Sequence, residues 1–153
     1  MQSWIEELGQ SFTEKKDRER QQIMLLERSR EVAPILYEEL ADSLQRDLQA
    51  SIVALGDQGI RCSRSSDSIV VKREALPSFR LEAKLRGGLI LVSRRQTRSF
   101  SSPPESNDCR LEVCAGTGPD DYCYLNAGFK LQTAPTASEY LLRPPFKLIV
   151  EAI

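Results

Sequence analysis

Histidine is absent from this chain of 153 residues. That removes Ser-His-Asp and Cys-His catalysis, imidazole metal sites and the side chain that ordinarily carries protons near neutral pH. Aromatic residues are scarce, at 7 %. Hydrophobic runs are short as well: residues 23–26 and 89–92 are each four aliphatic side chains long, against the roughly 20 a membrane-spanning helix needs. The opening Met1-Gln2-Ser3-Trp4-Ile5-Glu6-Glu7 has neither the basic nor the apolar stretch of an export signal. The expectation is a soluble, cytoplasmic protein with no membrane partner.

The four cysteines, Cys62, Cys109, Cys114 and Cys123, contain no CxxC pair that would aim two thiolates at one zinc. Without an export signal they read as structural thiols rather than a disulfide framework. Cys62 lies in Ile60-Arg61-Cys62-Ser63-Arg64, where two flanking guanidinium groups would lower the pKa of an exposed thiol. Cys123, between Tyr122 and Tyr124, has no base beside it. Asp120-Asp121 lacks the remaining ligands of a calcium loop, and Gly116-Thr117-Gly118 lacks the Lys-Ser/Thr of a phosphate cradle. The chain therefore nominates no catalytic residue, no metal site and no cofactor, and is expected not to be an enzyme.

What is present is a core-forming composition, 41 % hydrophobic and 28 % charged, with a net charge of −1. That near-neutral total hides three blocks. Residues 1–60 carry seven Lys/Arg against twelve Asp/Glu, residues 61–98 ten against three, and residues 99–153 four against seven.

The first block reads as helix. Leu36, Leu40, Leu44, Leu48 and Ile52 recur every four residues, and Gly56 ends the pattern. Pro34 predicts a break or bend, because proline in mid-helix costs about 3 kcal/mol. Upstream, Trp4, Ile5, Leu8 and Phe12 form a second, short apolar stripe, separated from Ile23 by ten residues without an apolar side chain. The organisation expected is an amphipathic segment with a charged spacer over 1–22, followed by one α+β domain over 23–153.

The middle block reads as antiparallel sheet. Residues 79–86 alternate apolar and charged, and Gly87-Gly88 suits a two-residue hairpin turn into a strand over 89–95. Residues 60–63 and 69–72 form another hairpin, Ser/Pro-rich 99–108 a loop, and 109–114 and 122–131 resume the meander. A closing helix follows, with Thr136-Ala137-Ser138-Glu139 as its capping box and a bend or restart at Pro144-Pro145. The fold class is α+β, a five- or six-stranded antiparallel meander packed against a long N-terminal helix and a C-terminal helix.

Two surfaces carry the functional expectations. A two-residue turn at Gly87-Gly88 sets Arg86 opposite Leu89, Lys84 opposite Leu91 and Arg80 opposite Arg95. Arg80, Lys84, Arg86 and Arg95 would then form a cationic face for nucleic-acid phosphates, with no aromatic platform to read bases. The plainer reading is that these cations are solvated or paired with the acidic helical block. The other surface is the Trp4, Ile5, Leu8, Phe12 cluster, which a rigid spacer holds away from the core unless the chain folds back near Gln21. Exposed, it needs a partner, and a second copy of the chain is the simplest. The leading expectation is a non-enzymatic interaction module that self-associates, as a dimer, through its N-terminal helix. Nucleic-acid association is the alternative, and a small-molecule site between helix and sheet a second one.

Overall fold

The computed structural model describes residues 3–115, 122–126, 129–131 and 133–152, and over 107–131 the description is of backbone pairing. Helix α1 (Trp4–Leu55) has 52 residues, about 78 Å at 1.5 Å each. It starts at a capping box: the Glu6 N–H donates to the Ser3 hydroxyl and the Ser3 N–H donates to the Glu6 carboxylate, both at 3.3 Å. It ends at Gly56, whose φ of 77° is left-handed and whose N–H donates to the Ile52 carbonyl at 2.9 Å.

Helix α1 runs through Pro34 without interruption, which corrects the break expected there. The proline ring is on the exposed side, while Ala33, Leu36 and Tyr37 around it are buried. Burying one such large side chain is worth about 1.5–3 kcal/mol, so packing on both sides of Pro34 outweighs the lost hydrogen bond. The helix is also continuous through Gln21, so the chain does not fold back there.

Among the described residues the sheet has seven strands: β1 (Ile60–Arg64), β2 (Ser68–Arg73), β3 (Ser78–Arg86), β4 (Leu89–Thr97), β5 (Glu105–Ala115), β6 (Tyr122–Asn126) and β7 (Phe129–Leu131). They follow one another in sequence order, each antiparallel to the next. The α+β meander is therefore as expected, with two differences of extent. The run 122–131 is two strands rather than one, and the Ser/Pro loop stops at Pro104, because Glu105 and Ser106 pair with Gln96 and Arg95 of β4. Gly87 has a φ of 59° and Gly88 does not have a positive φ, the pattern of a type II′ hairpin turn.

Helix α2 (Ala134–Ala152) closes the layer. Its cap is Thr133, not the Thr136–Glu139 box expected: the Thr133 hydroxyl accepts from the Thr136 N–H at 3.3 Å and its carbonyl from the Ala137 N–H at 3.0 Å. Ser138 is instead buried and donates to the Asp47 carboxylate of α1 at 2.5 Å. The helix also passes Pro144-Pro145 unbroken, where a bend or restart was expected. Pro145 removes the donor for the Leu141 carbonyl, and Arg94 of β4 supplies one at 3.2 Å.

Both helices cover one face of the sheet. Leu36, Tyr37, Leu40, Leu44 and Leu48 of α1 and Leu141, Leu142 and Ile149 of α2 meet Ile69, Val71, Phe79, Leu81, Ala83, Ile90 and Val92. Phe146 of α2 packs edge-on to Phe79, with ring centres 6.2 Å apart. Tyr37 donates to the Ser65 carbonyl at 3.0 Å, and Arg64 holds Glu38 and, at 2.8 Å, Asp42. Together they fasten the β1–β2 hairpin to α1.

Candidate functional site

Only the second half of α1 lies on the sheet. Residues 3–27 are exposed throughout, and burial begins with the half-buried Arg28 and Ser29. About 36 Å of helix therefore projects, at 1.5 Å for each of the 24 residues from Trp4 to Glu27. The projecting arm is amphipathic in register with the core. At about 100° per residue, Trp4, Ile5, Leu8, Phe12, Ile23 and Leu26 fall within the same arc as the buried Ala33, Tyr37, Leu40, Ala41, Leu44 and Leu48. One arc thus carries the apolar side chains of both halves of α1, covered by the sheet in one and bare in the other, with a polar gap over residues 13–22.

The four side chains singled out from the sequence are far out of the core: Trp4 is 70 % exposed, Ile5 63 %, Leu8 61 % and Phe12 60 %. Ile23 and Leu26 belong with them, at 55 % and 64 %, and the sequence reading missed them by assigning residues from 23 onward to the domain. The helical angle they share with Leu8 and Phe12 was the available signal. Between the two groups the stripe is occupied by Lys15, Glu19 and Gln22. Lys16 flanks it, with its ammonium 4.8 Å from the centre of the Phe12 ring, within the range of a cation–π contact.

One contact marks where the buried half of α1 begins. The β3–β4 turn lies against the helix, and a Cβ added at Gly88 would stand 3.4 Å from the Arg30 side chain and under 4 Å from its backbone. Strands β5 and β6 run on past that turn, pairing through Ala115 and Tyr122, three residues beyond the Glu112 that stands opposite Leu89.

The second candidate surface is the outer face of the sheet. The register sets Arg80 opposite Arg95, Lys84 opposite Leu91 and Arg86 opposite Leu89, so all four expected cations share this face. Two more join them: Arg61 pairs with Lys72 and Lys72 with Arg80. Arg61, Lys72, Arg80 and Arg95 form one row across four adjacent strands, with neighbours about 4.8 Å apart along it. Like charges directly opposite one another destabilise a sheet. Acidic neighbours relieve part of the row: Asp57 lies 3.6 Å from Arg61, Glu74 3.6 Å from Lys72 and Glu82 3.0 Å from Arg80. Among the described residues no carboxylate comes within 4 Å of Lys84, Arg86 or Arg95. Helix α1 takes its cation from elsewhere, in Arg64.

The remaining features carry less chemistry. Cys62 is a free thiol on the helix side of edge strand β1, opposite Val71. The residue is exposed, yet partial desolvation of its thiol pushes the pKa up, and Arg64 opposes that only in part. The activation expected from Arg61 and Arg64 is thereby corrected. Cys114 and Cys123 occupy opposed positions on β5 and β6. The Gly116-Thr117-Gly118 and Asp120-Asp121 turn lies outside the described residues, as do the side chains of Cys109, Cys114 and Cys123. An open groove of about 1030 Å³ runs between the two helices, along Ala50, Ala54, Leu142, Phe146 and Val150, and among the described residues no strand residue lines it. Among the described residues no group of three or more cysteines and carboxylates could hold a metal, and no helix is long and apolar enough to cross a membrane.

No family model, no curated protein and no solved structure matches this chain. The functional reading therefore rests on these residues alone.

Proposed function

We propose that this protein is a non-enzymatic interaction module that self-associates through the exposed arm of α1. The observation carrying this reading is that two bare apolar groups, Trp4 to Phe12 and Ile23 to Leu26, lie on the same helical arc as the buried face. The same helical face that buries Leu40 and Leu44 on the sheet presents Trp4, Ile5, Leu8, Phe12, Ile23 and Leu26 to water. Bare apolar patches on one helical face call for a partner. A second copy offers an identical stripe, and pairing two of them gives a closed, symmetric dimer. The setting is the cytoplasm, in keeping with the free thiol at Cys62. Sedimentation and light scattering of the full chain test the reading: a concentration-dependent dimer is expected, and a monomer at every accessible concentration overturns it.

A second reading, association with a nucleic acid, is favoured by the Arg61–Lys72–Arg80–Arg95 row. Four cations held opposite one another, three of them only partly relieved by a neighbouring carboxylate, are a surface that phosphates would stabilise. Its test is fluorescence anisotropy with labelled single- and double-stranded oligonucleotides. Affinity is expected to fall by orders of magnitude between about 50 and 200 mM salt if several phosphates are neutralised; no binding at low salt removes this reading.

A further inference from the structure

We infer that the two arms pair antiparallel, about a two-fold axis beside Asp17, so that the N-terminus of each chain reaches the β3–β4 turn of the other. This inference rests on the self-association just proposed and adds its direction and register.

The argument starts from the charged interruption of the stripe. Ile5, Phe12, Glu19 and Leu26 recur every seven residues, and so do Leu8, Lys15, Gln22 and Ser29. These two sets are the a and d seams of a helix pair. In a parallel pair each residue meets its own copy. Lys15 would then face Lys15 and Glu19 would face Glu19 inside the seam. In an antiparallel pair the a positions of one helix face the d positions of the other. With the axis at Asp17, Lys15 meets Glu19 of the second copy twice, once on each side of the axis.

The same register organises the rest of the stripe. Leu8 meets Leu26 of the second copy, Phe12 meets Gln22 and Ile5 meets Ser29. Along one rim, Gly9 comes beside Ile23 of the second copy; Gly9 has no atom within 4 Å of the place its Cβ would take, so that rim is open to a branched side chain. Trp4 comes beside Val32, which packs at the boundary of the core. The rims also bring Lys16 to Lys16 and Arg18 to Arg18. Each has a local partner, the Phe12 ring for Lys16 and Glu14, 4.0 Å away, for Arg18, and each stands at the solvent edge, where screening is strongest.

Length supplies an independent argument. An axis at Asp17 sets Trp4 opposite Arg30 of the second copy. Arg30 is where the β3–β4 turn closes against α1, and unbroken exposure of the helix ends just before it, at Glu27, so the arm fills the bare length of helix. Over that bare length the second copy's helix takes up the place under the stripe that the sheet holds beneath Leu40 and Leu44. The paired length is about 40 Å.

Photo-cross-linking reads the direction. Phe12→p-benzoylphenylalanine in the full chain, prepared as a mixture of light and heavy nitrogen isotopes, reports only links between chains. After trypsin, the antiparallel register expects a link from position 12 to the peptide 21–28. A link to the peptide 1–15 overturns the inference and leaves self-association standing. A monomer with no inter-chain link overturns both. Charge exchange gives a second readout. Lys15→Glu alone and Glu19→Lys alone are each expected to weaken the dimer by about 10-fold, with the double exchange restoring it and circular dichroism confirming an unchanged helix. Equal dimerisation by all four chains overturns the antiparallel register.

Discussion

The guanidinium of Arg94 donates to the Leu141 carbonyl at 3.2 Å, the carbonyl that Pro145 deprives of its donor one helical turn later. A strand side chain thus stands in for a missing backbone N–H, and α2 continues past the prolines with Leu142 and Ile149 buried.

Removing that donor leaves a part-buried carbonyl unpaired. Arg94→Ala is expected to lower stability to urea by about 1–3 kcal/mol. With Pro145→Ala the helix regains its own N–H at that position, so the same Arg94→Ala change is expected to cost less. Additive effects in the four-member cycle would show that the two residues are not linked in this way.

The arm and the body are expected to respond oppositely to truncation of large side chains. Leu8→Glu with Phe12→Glu leaves urea unfolding of the body unchanged and shifts the mass measured by light scattering to that of the monomer. Deleting residues 1–14 has the same outcome. Leu44→Ala, in the covered half of the stripe, costs about 2–5 kcal/mol, and a comparable loss from the Leu8 and Phe12 pair would mean the arm is packed on its own chain.

Tyr37 titrates above its ordinary range, chiefly because burial disfavours the phenolate, with Arg64 opposing. The folded chain holds this proton longer than the unfolded chain does. Stability is therefore present below about pH 10, the unfolded phenol's pKa, and falls as pH rises beyond it. Tyr37→Phe removes that share of the alkaline loss and, with the hydrogen bond to Ser65 gone, costs about 1 kcal/mol at neutral pH. Urea titrations of both proteins between pH 8 and 11 measure the difference.

The cation row predicts a stability gain from a charge reversal. Arg95→Glu places a carboxylate opposite Arg80 and is expected to stabilise the sheet by about 0.2–1 kcal/mol. If the row holds phosphates, the same variant weakens oligonucleotide binding and flattens its salt dependence. A variant that is neither more stable nor weaker in binding would show the row to be well separated and solvated.

Much of the fold was legible because it is local. The alternation of 79–86 and the Gly87-Gly88 turn set the β3–β4 register from sequence alone, since a two-residue turn leaves one way to pair the strands. The proline positions were misread for the opposite reason: whether Pro34, Pro144 or Pro145 breaks a helix depends on residues remote in sequence. Arg94 lies 47 positions from the carbonyl it rescues, and no window around Pro145 contains it. Thr136-Ala137-Ser138-Glu139 fits the cap pattern, but Ser138 is drawn to Asp47, 91 residues away, and Thr133 is left to cap. At the candidate site, the Trp4–Phe12 stripe was visible as a pattern. Ile23 and Leu26 were not separated from the core, because periodicity does not say where the sheet ends.

Synthesis proceeds from the amino end, so α1 leaves the ribosome before any strand exists to cover it. At about 5–20 residues per second, the 42 residues from the end of α1 to the end of β4 take roughly 2–8 s. During that interval both halves of the newborn helix show greasy side chains on the same flank, and only the polar stretch over residues 13–22 sets the outer half apart. Neighbouring nascent chains on one message could zip together over the wrong half, and arrival of the β-meander is what would sort intramolecular from intermolecular pairing.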